Sequence, residues 1–245
     1  MKITSEQIKE IKKYPNSIYT VIKQEFLYHS NKIEGSTFTK ENLALYLDKR
    51  IIEGSHKLDD VFETINSVDL FDFVIDTLGE PITKSLILEF HRMLKRNTLD
   101  EERGFSGCWK KIPNYISGSD VQVAQPYEVE WMIEDLLKWW NNSPKTFDDI
   151  VAFHVKFEKI HPFQDGNGRI GRFLMLKQCI ENGVDLIAID EKYESEYKMA
   201  LKDAQLNANL KDILDIFKKC QTLLEDKRAD VETAIKYLHK INGKS

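Results

Sequence analysis

Twelve consecutive residues, from His161 to Arg172, combine the side chains that phosphate chemistry requires. The segment reads HPFQDGNGRIGR and contains one imidazole, one carboxylate and two guanidinium groups. An imidazole titrates near neutral pH, so His161 could remove the proton of an attacking hydroxyl. Asp165 could hold Mg²⁺, which usually bridges one or two protein carboxylates and substrate phosphates. The segment therefore has the composition of a catalytic site for a polyphosphate.

The second half of the segment indicates how a phosphate chain would be held. Gly166, Asn167 and Gly168 predict a loop, because glycine tolerates positive φ and has no side chain to block a ligand. Apolar residues at helical spacing follow, so we expect a helix to begin near Asn167. Its exposed N–H groups and its dipole would attract an anion. Arg169 and Arg172 project from nearly the same face of its first turn and could bind phosphate oxygens.

The same residues also fit a simpler interpretation. His161 and Asp165 could pair with each other at a helix entrance, and the two arginines could form ordinary surface ion pairs. That interpretation is favoured for any one of these residues taken alone. The complete string favours phosphate chemistry.

The segment from His161 to Arg172 resembles the signature of the Fic family, H-P-F-x-D/E-G-N-G-R-x-x-R, at every position. Fic enzymes typically transfer AMP from ATP to a Ser, Thr or Tyr hydroxyl of a target protein and release pyrophosphate. The resemblance implies that His161 is the general base and that Asp165 binds the Mg²⁺ cofactor. Related Doc kinases usually carry lysine at the position of Gly168 and transfer phosphate, so the resemblance favours adenylylation.

The resemblance also implies which residues would bind ATP. They comprise a three-residue anion hole, two arginines for the β- and γ-phosphates, and a tyrosine in a Y-x-x-A-L run near the adenine. These residues are Gly166, Asn167, Gly168, Arg169, Arg172 and Tyr197.

A second motif lies near the N-terminus, where Ser30-Asn31-Lys32-Ile33-Glu34-Gly35 follows apolar residues at helical spacing. Ser30 and Glu34 would share one helical face, and Gly35 would end the helix. Taken alone, this is an ordinary helix end. It resembles the inhibitory motif of many Fic proteins, S/T-x-x-x-E-G/N, whose glutamate pairs with the second motif arginine, here Arg172. The resemblance implies autoinhibition in cis, and leaves open whether Glu34 also supports removal of AMP.

Trp109 to Gln125 departs from the helical pattern and predicts a short β-hairpin around Ser117-Gly118-Ser119-Asp120. A plain surface hairpin fits equally well. The resemblance implies a flap over the active site that pairs with the target backbone as an added strand. The implied target-docking residues are Tyr115, Ile116, Ser117, Gly118 and Val121. Fic proteins often have arginine shortly before this flap, where this chain has Lys110, so the role of that position stays open.

Composition limits the class of protein. The chain has 245 residues, of which 42% are apolar and 31% charged, as in a soluble globular protein. We find no apolar run of membrane-spanning length and no signal peptide, and the three cysteines lack metal-ligand spacing, so we expect a cytoplasmic protein with reduced thiols. A net charge of −5 argues against generic binding of nucleic acid. His91 and His154 are interpreted as structural residues.

Helical periodicity covers most of the chain and predicts an all-α fold, with a Fic-type helical core and the hairpin flap as its addition. We expect an N-terminal helical region at 1–80 with the inhibitory helix, a Fic domain at 81–224, and a C-terminal helix at 225–245. Thr39 and Thr83 are predicted N-caps. The predicted helices span 17–34, 39–48, 57–78, 83–95, 127–142, 146–160, 167–182, 193–205, 210–223 and 225–241.

The partners expected from the resemblance are ATP and a target protein of unknown identity, and a homodimer stays open. Two alternative functions remain at this point. The chain could be a non-catalytic ATP-binding regulator in which Glu34 keeps ATP misaligned. It could also transfer another nucleotide moiety, phosphate or phosphocholine.

Overall fold

The computed structural model describes residues 2–14, 17–116, 119–221, 225 and 228–241. Over these residues the fold is all-α, which confirms the predicted class. In chain order the helices are α1 (Ser5–Lys12), α2 (Ile18–Ile33), α3 (Lys40–Lys49), α4 (Leu58–Asp76), α5 (Lys84–Leu94), α6 (Leu99–Glu102), α7 (Val129–Asn142), α8 (Phe147–Ile160), α9 (Asn167–Glu181), α10 (Glu194–Asn207), α11 (Lys211–Cys220) and α12 (Arg228–Ile241), with a 3₁₀ turn at Glu191–Tyr193.

Several helices begin at side-chain caps that the sequence predicts. The Thr39 hydroxyl accepts the N–H of Asn42 at 3.1 Å, and the Thr83 hydroxyl accepts the N–H of Leu86 at 3.1 Å. Both caps satisfy a backbone donor that the first turn leaves without a helical partner. The sequence prediction omits α1 and the single-turn α6, although Thr4 and Gln7 form a capping box at the start of α1.

The helix that follows the motif loop, α9, lies at the centre of the molecule. It packs against α8, α4, α2 and α5, and its residues from 169 to 180 are all buried. A helix that is buried on every side shows little amphipathic pattern, because no face is reserved for water. This environment fixes the axis of α9 and therefore the position of its N-terminus. Because α2 and α4 belong to the N-terminal region, that region contacts the helix that carries the motif arginines.

The predicted β-hairpin is not seen in the described residues between 109 and 125. The backbone N–H of Lys110 donates to the carbonyl of Pro162 at 2.8 Å, and Asn114 Nδ2 donates to the carbonyl of Phe163 at 2.9 Å. This segment is therefore tied to the motif loop. An isolated two-stranded hairpin is marginal in water, so apolar alternation alone does not produce one. Ser117 and Gly118 lie outside the described residues.

None of the helices described here combines the length and the apolar character needed to cross a membrane.

Candidate active site

His161 is the residue at which α8 ends. Its backbone is left-handed, with φ 52° and ψ 60°, and its N–H donates to the carbonyl of Phe157 at 3.0 Å. A left-handed conformation costs a non-glycine residue about 1–2 kcal/mol, which the packing of the adjoining helices must offset. Pro162 lacks an N–H and cannot continue the helix, so the chain turns directly into the motif loop.

The imidazole of His161 is neutral at physiological pH. Burial, followed by the charge of the Lys110 ammonium, lowers its pKa to about 4. A neutral imidazole can accept a proton, which is the condition for a general base. Its Nδ1 atom is buried, so Nε2 is the nitrogen left to meet a substrate.

Lys110 is itself a buried cation, 3% exposed. Burial lowers its pKa to about 8. Its Nζ donates to Asn114 Oδ1 at 2.8 Å, and Asn114 in turn donates to the carbonyl of Phe163. Lys110 therefore stabilises the loop through Asn114 and at the same time disfavours protonation of His161.

The motif loop is closed by Asn167. Its Oδ1 accepts the N–H of Phe163 at 2.8 Å, and its Nδ2 donates to the carbonyl of the same residue at 3.0 Å. Gly166 has φ +84°, and a Cβ there would lie 3.2 Å from side-chain atoms of Leu94 and Lys95. Because the Asn167 side chain is engaged within the loop, its backbone N–H is the group that could contact an anion at the start of α9.

His91 supports the same loop from α5. Its ring stacks on Phe163 with centroids 3.8 Å apart and an interplanar angle of 4°. Its Nε2 lies 3.0 Å from the carbonyl oxygen of Asp165, and its Nδ1 accepts the N–H of Gly107 at 3.1 Å. Burial lowers its pKa to about 3, so the ring is neutral. This arrangement agrees with the structural interpretation of His91.

Asp165 is the carboxylate of the motif loop, and 59% of its side chain is accessible. Lys95 and Arg169 both contact its Oδ2 atom. Burial opposes ionisation, but the two cations outweigh it and hold the pKa of Asp165 well below its usual range. Mg²⁺ commonly takes one or two protein carboxylates and completes its shell with water and phosphate oxygens. An ionised, accessible carboxylate therefore fits the predicted metal ligand. Within the described residues, no group of three or more His, Cys, Asp or Glu could hold a metal ion.

Arg169 and Arg172 are buried, and each is paired with a glutamate from the N-terminal helices. Arg169 is 5% exposed, and its Nη1 donates to Glu63 Oε2 at 2.6 Å. Arg172 is 2% exposed, and its Nη2 donates to Glu34 Oε1 at 2.6 Å. Both groups that the sequence predicts for phosphate binding thus carry a carboxylate partner in this conformation.

Arg172 forms three hydrogen bonds with Ser30 of α2 and with Glu34, the residue that follows this helix. In addition to the bond with Glu34, Arg172 Nε donates to the Ser30 hydroxyl and Nη2 donates to the Ser30 carbonyl, both at 2.9 Å. Ser30 and Glu34 therefore share the helical face that the sequence predicts. Burial opposes ionisation of Glu34, but Arg172 and then Arg169 outweigh it and lower its pKa. A Cβ at Gly168 would overlap Glu34 Oε1, so glycine at this position permits the close approach.

A cavity of about 390 Å³ opens beside this cluster and is lined by Glu34, Glu63, Lys95, Asp165 and Arg169 among others. Its lining carries six carboxylates and four cationic side chains. The acidic excess means that a polyphosphate would require neutralisation or displacement of carboxylates before it could bind there.

The remaining predicted residues are Tyr197 and the flap residues. Tyr197 is buried at 3% exposure, its hydroxyl lies 2.8 Å from His154 Nε2, and its ring stacks on Phe217. An adenine contact of Tyr197 stays a prediction. Of the predicted flap residues, Tyr115 is 83% exposed, Ile116 is partly buried and Val121 is buried.

Sequence reasoning missed three charged residues around the site, namely Glu63, Lys95 and Glu158. Glu63 lies on α4 and Lys95 directly follows α5, and no local motif marks them. Glu158 lies on α8, and burial raises its pKa to about 8 against the opposing charge of Arg172. The only sequence signal for Glu158 is a charged residue within the largely buried helix that precedes His161.

The fold and this loop define the class of protein. The profile of the Fic/DOC family matches residues 81–179, which include α5, the motif loop and most of α9. The chain therefore contains a domain of the Fic/DOC family. A Fic domain containing signaling protein from Bacteroides thetaiotaomicron has a similar structure, with a TM-score of 0.72 and 25% identity over 98% of this chain and 99% of that one.

Curated relatives of this chain are named as protein adenylyltransferases, which is a more specific description than the family. A protein of Aquifex aeolicus named as a probable protein adenylyltransferase is 29% identical over 208 residues, which cover 80% of this chain and 61% of the relative. The protein adenylyltransferase Fic of Drosophila grimshawi is 27% identical over 184 residues, which cover 73% of this chain and 37% of the relative. The chain thus spans about 61% of the first relative and 37% of the second.

Proposed function

We propose that this chain is a protein adenylyltransferase, which transfers AMP from ATP to a hydroxyl of a target protein and releases pyrophosphate. The observation that carries the proposal is the motif loop, where a neutral imidazole and an ionised carboxylate flank the start of a helix with two buried arginines. The names of the curated relatives support the same activity.

In the proposed mechanism, the phosphates of ATP bind at the N-terminus of α9. Arg169 and Arg172 would donate to the β- and γ-phosphate oxygens, and the first N–H groups of the helix would complete the anion site. The acceptor oxygen forms a bond to the α-phosphorus as the bond to the β-bridging oxygen breaks. His161 Nε2 takes the hydroxyl proton, and the arginines stabilise the charge of the leaving pyrophosphate.

Asp165 would hold Mg²⁺, which when bound neutralises phosphate charge and orients the phosphate groups. Its low pKa keeps the carboxylate ionised at any physiological pH.

We further propose that Glu34 inhibits the enzyme. Ser30 and Glu34 occupy the donors of Arg172 that the γ-phosphate would need, so ATP would bind without this contact. Coupling between two such sites is typically about 1–3 kcal/mol, or about 5–150-fold. The Glu34 carboxylate is also a candidate to activate water for removal of AMP from a modified target.

The segment around Tyr115 is the proposed docking site for the target. Its exposed backbone would pair with an extended target segment, and the bond between Lys110 and Pro162 would keep it next to His161. Backbone pairing specifies little of the target sequence, so the acceptor hydroxyl would be selected mainly by its position.

Intact-mass analysis of the Glu34→Gly variant tests this proposal. The variant is incubated with Mg²⁺ and each of several nucleoside triphosphates, alone and with candidate targets. We expect a mass increase of one AMP from ATP, and none when His161→Ala is added. An unmodified protein that still binds ATP would instead support a non-catalytic regulator. An increase of another mass would support transfer of a different nucleotide or of phosphate.

A further inference from the structure

Four residues around the motif loop form a closed ring of alternating charge, which we call the charge ring: Glu63, Lys95, Asp165 and Arg169. Glu63 Oε1 lies 2.5 Å from Lys95 Nζ, and Glu63 Oε2 lies 2.6 Å from Arg169 Nη1. Lys95 Nζ and Arg169 Nη2 both contact Asp165 Oδ2, the second at 3.5 Å. The ring therefore joins α4, α5, the loop and α9.

We infer that Glu63 and Lys95 are positioning residues, which orient Asp165 for its metal and Arg169 for phosphate without contacting the substrate. This inference rests on the proposed function.

Lys95 has no donor left for a phosphate. It is 1% exposed, and its ammonium contacts three carboxylates, those of Glu63, Asp100 and Asp165. An ammonium group has three N–H donors, so these contacts saturate it. An ammonium whose three donors are all engaged can hold Asp165 Oδ2 in place but has no donor left for a ligand.

Glu63 is fixed by its helix. One turn along α4, Asn66 Nδ2 donates to the carbonyls of Leu94 at 3.0 Å and Arg96 at 2.6 Å. Asn66 is 1% exposed, so these bonds are shielded from water. They fix α4 against the end of α5, where Lys95 follows the last helical residue. The distance between Glu63 and Lys95 is therefore determined by the packing of the two helices.

The charge ring also determines which nitrogen atom of Arg169 contacts Asp165. Arg169 uses Nη1 for Glu63 and Nη2 for Asp165, and its buried Nε has no hydrogen-bond partner among the described residues. Without Glu63, the guanidinium would be free to rotate and form a two-pronged pair with Asp165. That pair would engage both carboxylate oxygens and compete with Mg²⁺. Glu63 thus keeps the two residues in a weak, single contact.

The test uses Glu63→Gln in the Glu34→Gly background, with Asp100→Asn as the matched control. Both substitutions remove one carboxylate charge from Lys95, but only Glu63 also contacts Arg169. The first measurement is the binding of a non-hydrolysable ATP analogue at increasing Mg²⁺ concentration. Loss of a residue that orients a metal ligand typically weakens metal affinity by about 10–100-fold. We expect Glu63→Gln to raise the half-saturating Mg²⁺ concentration within that range, and Asp100→Asn to raise it much less.

Equal shifts in the two variants would overturn the inference, because Glu63 would then act only as a counter-charge for Lys95. Glu63→Asp keeps the charge and should recover part of the Mg²⁺ affinity, and it provides the test if Glu63→Gln does not fold. A Glu34→Gly parent that binds ATP with Mg²⁺ but transfers nothing contradicts the proposed function alone. A parent that binds ATP equally well without Mg²⁺ contradicts the inference.

Discussion

Arg169 and Arg172 lie on the same helical face and each is paired with a glutamate, yet the two glutamates differ in how they are held. Glu34 follows the last residue of α2, next to Gly35 with φ +83°, and its side chain is 29% exposed. Glu63 lies within α4, its side chain is 17% exposed, and both of its oxygens are engaged. Helix ends open at low free energy, whereas packed helix interiors open only with the whole domain. Glu34 can therefore leave Arg172 more easily than Glu63 can leave Arg169. Glu34 is suited to regulation, and Glu63 is suited to positioning.

Removal of His161, the proposed base, should have the largest effect and should leave both arginine–glutamate pairs intact. A general base typically contributes about 10²–10⁴-fold, so we expect His161→Ala to abolish detectable transfer in the Glu34→Gly background. Labelling with radioactive ATP measures this, and binding of the ATP analogue should be unchanged. Transfer that survives in this variant would contradict the assignment of the base.

Removal of Glu34, the partner of Arg172 at the end of α2, should raise the transfer activity. We expect Glu34→Gly to increase self-adenylylation by about 5–150-fold, because Arg172 becomes available to the γ-phosphate. Initial rates at saturating ATP check this against Glu41→Gln, which changes an exposed glutamate of α3 instead. Equal rates in the two variants would exclude Glu34 as an inhibitory residue.

Removal of Glu63, the partner of Arg169 within α4, should lower the transfer activity. At subsaturating Mg²⁺, we expect Glu63→Gln to lower the transfer rate of the Glu34→Gly variant by about 10-fold or more. High Mg²⁺ should restore most of that loss, since the substitution weakens binding of the metal and leaves the base in place. If Glu63→Gln instead raised the rate, both glutamates would be inhibitory and the contrast between them would be wrong.

A third carboxylate, Glu158, should affect stability more than activity. Burial raises its pKa to about 8 from the ordinary 4.5, so the folded protein retains a proton that the unfolded chain releases. The unfolded state therefore binds fewer protons between these two values, and the free energy of unfolding should fall as pH rises through that window. Denaturant unfolding from pH 5 to pH 8 measures the slope, which Glu158→Gln should reduce. An unchanged slope would show that Glu158 is already ionised in the folded protein.

The helices could be predicted largely from local signals. Periodicity and the caps at Thr39 and Thr83 identify most of them, because helix formation depends on residues within one or two turns. The sequence pattern between 109 and 125 predicted a hairpin that the described residues do not form. Here the backbone N–H of Lys110 bonds to Pro162 and the Asn114 side chain bonds to Phe163, and both partners lie far along the chain. Alternating apolar residues do not reveal such a partner.

The sequence by itself determined the chemical groups of the site, because His161, Asp165 and the two arginines lie in one short segment and their types define what they can do. It also determined that Ser30 and Glu34 share a helical face. Only the tertiary structure decided that this face meets Arg172 and that Lys110 lies close enough to depress the pKa of His161. It also decided that Glu63 contacts Arg169 and that Lys95 contacts Asp165. The contacts of Ser30, Glu34, Glu63 and Lys95 depend on the packing of α2, α4 and α5 against α9, and that of Lys110 depends on its bond to Pro162. Close packing joins residues that no local pattern relates.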